Sequence, residues 1–84
     1  MFNYSLLPDH MHGGMQRYIE NRIPPGGFLK AVLENNLSAA FGSADHINRE
    51  RMFDIVGFLY NEAPSGCWGS PEKVRKWTEE GKEA

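Results

Sequence analysis

Apolar side chains recur at helical spacing in four stretches of this chain, each bounded by proline, glycine or paired amides. In the first, Met11, Met15, Tyr18, Ile19 and Arg22 fall at i, i+4, i+7, i+8 and i+11, one stripe of a helix. Asp9, after Pro8, is placed to cap it. Gly13-Gly14 weakens its first turns by about 1 kcal/mol each relative to alanine. Ile23 precedes Pro24 and is driven out of helical geometry, so this helix should end near Arg22. Pro24-Pro25-Gly26-Gly27 then reads as a turn.

The second stretch, from Phe28, places Leu29, Val32, Leu33, Leu37, Ala40, Phe41 and Ala44 on one side. Asn36 falls on the same stripe. It is either a buried amide with partners or, as we expect, part of an Asn35-Asn36 break that caps a short piece beginning at Leu37, because asparagine competes for backbone hydrogen bonds. Gly42-Ser43 closes the stretch, and Asp45 or Asn48 starts the next. There Met52, Phe53, Val56, Leu59 and Tyr60 form one face, which Ile55 and Phe58 widen. An arc that broad predicts the most buried helix, with Gly57 marking a close helix crossing. Ala63-Pro64 ends it, and Ser65–Gly69 forms a tight loop carrying Trp68. Ser70-Pro71-Glu72 is a strong helix start, Val74 and Trp77 supply a short contact face, and Gly81 suits the end. Strand alternation is weak throughout. The expectation is an all-α fold, a compact bundle of about four helices in one domain over 1–84, with an N-terminal arm at 1–8 and a frayed tail at 82–84.

Composition narrows this only slightly. With 84 residues, 40% hydrophobic and 24% charged, the chain has ordinary globular usage. So short a chain buries a modest core and gains from association, so a homo-oligomer is expected. The formal charge of −2 argues against direct nucleic-acid binding, which calls for a basic surplus. No apolar run is long enough for a membrane span, and no secretory leader pattern is present at the start, so a cytoplasmic setting is expected.

Candidate chemistry is sparse. His10 and His12 are two apart and point differently on a helix, and His46 stands alone, so no metal or other cofactor is expected. Cys67 excludes an intrachain disulfide, and with no nearby base it reads as a small buried hydrophobe rather than a nucleophile. Glu34, Asp45, Asp54 and Glu62 show no pairing, so no catalytic residue is assigned. The glycines of Gly26-Gly27 and of Gly69-Ser70 precede helices without a phosphate-loop fingerprint. Basic groups gather at Arg49 and Arg51 and at Lys73 and Arg75, the latter beside Trp77. With Asn36, Asp45, Asn48, Tyr60 and Trp68 at the helix joints, they are the residues from which a ligand or partner site would be built. As a plainer reading, the amides and acids cap helices and the cations solvate them.

The strings Ile-Pro-Pro-Gly-Gly-Phe-Leu-Lys-Ala-Val-Leu-Glu-Asn-Asn-Leu (23–37), Ala44-Asp45 with Asn48, Tyr60-Asn-Glu-Ala-Pro64 and Cys67-Trp-Gly-Ser70 resemble a group of short bacteriophage and prophage proteins of uncharacterised function. The likeness spans roughly residues 11–77 and implies a small accessory protein made in an infected bacterium. By analogy with that setting, the expected function is non-catalytic antagonism of a host defence system. The partner would be a host protein or nucleoprotein complex, or a sequestered nucleotide signal. The alternative is a small structural, assembly or regulatory component of the phage.

Overall fold

A computed structural model describes residues 2–83, in which six α-helices and two 3-10 turns account for the regular structure and no strand occurs among the described residues. The helices are α1 (His12–Asn21), α2 (Gly27–Leu33), α3 (Leu37–Ser43), α4 (His46–Glu50), α5 (Met52–Asn61) and α6 (Pro71–Glu83). The all-α class therefore holds. The count of about four does not, because short helices divide two of the expected stretches. The Cα radius of gyration, 11.8 Å, matches the value of about 12 Å for a folded chain of this length.

The divisions have local causes. Asn35 adopts a left-handed conformation (φ 61°) and ends α2, its amide and that of Asn36 donating to the Val32 and Ala31 carbonyls. The Asn36 side chain then caps α3, accepting from the Ala39 amide at 3.1 Å. Both amides serve the break, as expected. Asp45, not Asn48, caps α4, accepting from the Asn48 amide at 2.7 Å. Arg51 is a one-residue joint before α5, and backbone bonds run through it, from Arg51 N–H to the Ile47 carbonyl and from Ile55 N–H to the Arg51 carbonyl. Ser70 caps α6 through the Lys73 amide at 3.1 Å. Asp9 makes no side-chain cap and instead opens the 3-10 turn Asp9–Met11 ahead of α1. Gly81 does not end the last helix, which continues to Glu83, and Ala84 lies outside the described residues.

The core is assembled from Leu7, Met15, Tyr18, Ile19, Leu29, Val32, Leu33, Ala40, Met52, Ile55, Phe58, Leu59, Cys67 and Val74, so every helix but α4 contributes to it. Burying each larger aliphatic or aromatic member stabilises the fold by about 1.5–3 kcal/mol. The arm before α1 is part of this assembly. Leu7 is buried, and Tyr4 stacks on Phe58 with ring centroids 5.3 Å apart. The Leu6 and Leu7 carbonyls accept from Arg51 Nη2 (2.9 Å) and from His12 Nε2 (2.9 Å), so His12 carries its proton on that nitrogen.

Two further ties hold the C-terminal half. The Gly69 amide, at φ 120°, donates to the Leu33 carbonyl at 2.7 Å, which joins the loop after α5 to the end of α2. The Trp77 indole N–H donates to the Tyr18 carbonyl (2.9 Å), and the Arg22 guanidinium lies 3.6 Å over the indole ring while donating to the Trp77 carbonyl and Glu80. Arg22 ends α1 in the left-handed region (φ 61°), a strained position for a residue with a Cβ, and these contacts hold it there.

Candidate functional site

Helix α5 is apolar around most of its circumference, and the arm and the loop at 65–69 cover only part of it. Met52, Ile55, Phe58 and Leu59 are buried. Phe53 is 89% exposed and Tyr60 76%, so the expectation that these two belong to the buried face is overturned. The close crossing expected at Gly57 is likewise absent: nothing lies within 4 Å of where a Cβ would stand. The physical reason is geometric. The broad apolar arc exceeds what the short neighbouring helices can cover, so one side of it faces solvent.

That uncovered side continues onto α3. A shallow groove lined by Val32, Asn36, Leu37, Ala40, Met52 and Val56 separates the two helices. Leu37 (66% exposed) and Phe41 stand at i, i+4 spacing on α3, and Phe53, Val56, Gly57 and Tyr60 run at i, i+3, i+4, i+7 on α5. Tyr60 meets Trp68 edge to face, centroids 5.3 Å apart, which extends the aromatic surface onto the following loop. None of the groove residues is charged. Scattered exposed apolar residues are ordinary, but aligned ones mark a contact surface.

The other residues singled out from the sequence are dispersed. Gly26 and Gly27 open α2 and line a separate cleft with His10, Met11, Gly14, Arg17, Phe28 and Leu29. Asp45, besides capping α4, pairs with His10 at 3.1 Å, and the Asn48 amide bond above all holds its carboxyl below the ordinary value, with His10 adding to the effect. Asn48 is 3% exposed; its Nδ2 donates to Met11 Sδ at 3.5 Å, and its Oδ1 has no partner. Arg51 is held by Asp54 (2.8 Å) and the Leu6 carbonyl, Arg49 and Lys73 are exposed, and Arg75 pairs with Glu79. Arg75 also lines a cleft of about 420 Å³ with Pro24, Pro25, Lys30, Glu34, Pro71, Val74 and Thr78. None of these three clefts is lined by Tyr60 or Trp68 together with Arg49, Arg51, Lys73 or Arg75.

Cys67, within the loop at 65–69, is fully buried, and burial pushes its thiol up to about 11. Its carbonyl accepts from the buried Tyr18 hydroxyl at 2.7 Å, and desolvation raises that phenol above its ordinary value too. A thiol so placed carries little thiolate at neutral pH. Among the described residues no three His, Cys, Asp or Glu side chains converge as a metal site would require, and no helix is long and apolar enough to cross a membrane.

Fold and surface together define a small all-α protein of short helices with an uncovered apolar face. The chain matches no family model, no curated protein and no solved structure. Sequence reasoning named Tyr60, Trp68 and Asn36 at this face but missed Leu37, Phe41 and Phe53, which it assigned to the core. The available signal was an apolar arc wider than a protein of six short helices can bury.

Proposed function

We propose that this is a non-catalytic binding protein of the phage accessory kind, antagonising a host defence system by docking against a protein through the α3–α5 face. The observation that carries this reading is an uncharged groove between α3 and α5, lined in part by Leu37 and Val56, on two helices that also expose Phe41, Phe53 and Tyr60. Such a face suits a protein partner, since aromatic anchors around an apolar centre supply most of the energy of protein interfaces. It suits a nucleotide less well, because phosphates call for cations or free N–H groups and the groove lining has no cation. The test is phage plating on a defended bacterium expressing the protein. Wild type and a Lys73→Ala/Arg75→Ala variant should restore infection, whereas Phe53→Asp/Tyr60→Asp should not, with helicity unchanged by circular dichroism. If the basic pair is required and the aromatic pair is not, nucleotide sequestration replaces protein docking. A protein found instead in purified virions would support the structural or assembly alternative.

A further inference from the structure

We infer that the cleft between α2 and α6 is a second binding site, one that takes a small zwitterion. The ligand class is a carboxylate and an ammonium group on an apolar body, as in the free apolar amino acids. The cleft shares no lining residue with the α3–α5 groove.

Its walls are set before any ligand arrives. The Gly69 amide bonds the Leu33 carbonyl where α2 ends and α6 is about to begin. Toward the other end of α6, the Trp77 carbonyl takes Arg22, just ahead of Pro24-Pro25. The two helices therefore run antiparallel. With equal rise in both, this register sets Pro71 near Glu34, Arg75 near Lys30 and Thr78 near Pro24-Pro25, and all of these residues line the cleft. Val74, 5% exposed, anchors α6 in the core. The three proline rings have no long side chain to order, so an apolar body meets a wall already shaped. The volume, about 420 Å³, falls within the ~300–1,000 Å³ of small-molecule sites.

Charge selects the ligand. Lys30 and Arg75 put two cations on opposite walls, where like charges repel. Among the described residues Lys30 has no ion pair, and Arg75 has only the exposed 3.8 Å contact with Glu79 of its own helix. Glu34 lines the same cleft and pairs with neither cation. One acid and two cations are left facing a common space. A carboxylate between Lys30 and Arg75 answers both, bidentate on the guanidinium. An ammonium group turned toward Glu34 answers the acid. Lys30 and Glu34 stand one turn apart, about 6 Å along α2, so both reach one small molecule. A plain anion would be opposed by Glu34, and a plain amine by the two cations.

The experiment is an NMR titration of the isotope-labelled full chain with tryptophan, whose indole is the apolar body. Tryptophan should shift the Lys30, Glu34, Val74, Arg75 and Thr78 amide signals saturably. Its Kd should be about 0.1–1 mM, as expected of ~15 heavy atoms in an open cleft. Tryptamine, which lacks the carboxylate, should shift none of them. Indole-3-propionate, which lacks the ammonium group, should bind about fivefold more weakly, the worth of one exposed charge-assisted contact. Lys30→Ala, at an exposed side chain with no ion pair to lose, should weaken tryptophan binding by about the same factor. Glu34→Gln should weaken tryptophan but not indole-3-propionate. No saturable shift with tryptophan or phenylalanine up to about 10 mM overturns the inference. Tryptophan binding that Lys30→Ala leaves unchanged overturns it too, as does indole-3-propionate binding as tightly as tryptophan. Inorganic phosphate moving the same signals as strongly would make this an unselective anion site and likewise sink the zwitterion. The titration reads no residue of the α3–α5 groove, so this inference and the docking reading stand or fall separately.

Discussion

Tyr18→Phe isolates one buried hydrogen bond. The Tyr18 side chain is fully buried, and its hydroxyl donates to the Cys67 carbonyl at 2.7 Å, beneath the loop that carries Trp68. The substitution keeps the ring and its packing but removes the donor. Cys67 is equally buried, so no solvent replaces the donor and the carbonyl is left unsatisfied. Stranding a buried acceptor costs about 1–3 kcal/mol, against about 1 kcal/mol for the net worth of an ordinary bond. A cost of about 2 kcal/mol in a domain of this size, at about 4–8 °C per kcal/mol, lowers Tm by about 8–16 °C. Thermal unfolding and a urea titration both read it, the latter as a lower midpoint with unchanged slope. Tyr60→Phe, at an exposed ring, is the control and should shift Tm by no more than about 2 °C. A Tyr18→Phe protein melting within about 2 °C of wild type would refute the reasoning, since the carbonyl must then find another donor.

Three other outcomes follow from the same geometry. Asn36→Ala removes the α3 cap and should cost about 1 kcal/mol in urea unfolding, while Asn35→Gly, at φ 61°, should cost nothing or stabilise slightly. The Asp45 carboxyl should titrate by NMR below its ordinary value. A depressed folded-state pKa means that its contribution is present above the unfolded value of 3.8 and is lost as pH falls through the folded one; Asp45→Asn should flatten that acid limb, and an unshifted midpoint would contradict the cap geometry. Cys67 should resist thiol reagents in the native state at neutral pH, with reactivity rising toward about pH 11 rather than the usual 8.5; fast stoichiometric labelling at pH 7 would show the thiol to be accessible.

How far the candidate face could be read from the sequence depended on which residues made it. Tyr60 and Trp68 stood out because aromatics beside Pro64 and Gly69 sit at a joint, and Asn36 stood out as a polar residue on an apolar stripe. Phe53, Phe41 and Leu37 carried no such mark. Their spacing is the spacing of core residues, and periodicity tells that a face is apolar without telling what covers it.

The sequence by itself determined the features whose causes are local. Pro64 and Ser70-Pro71 set the limits of α5 and α6, and Asn35-Asn36 divides α2 from α3. In each case proline φ, a left-handed residue or a capping oxygen acts within three or four residues of itself. Only the tertiary structure decided which arc of α5 is buried. That choice belongs to the arm, whose Tyr4 stacks on Phe58 and whose Leu6 carbonyl takes Arg51, and to the loop that Gly69 ties to Leu33. These contacts join residues about 35–55 positions apart, and no local rule ranks one apolar arc of a helix above another until its neighbours arrive. What they leave bare, from Leu37 across to Tyr60, is the face on which the proposed function rests.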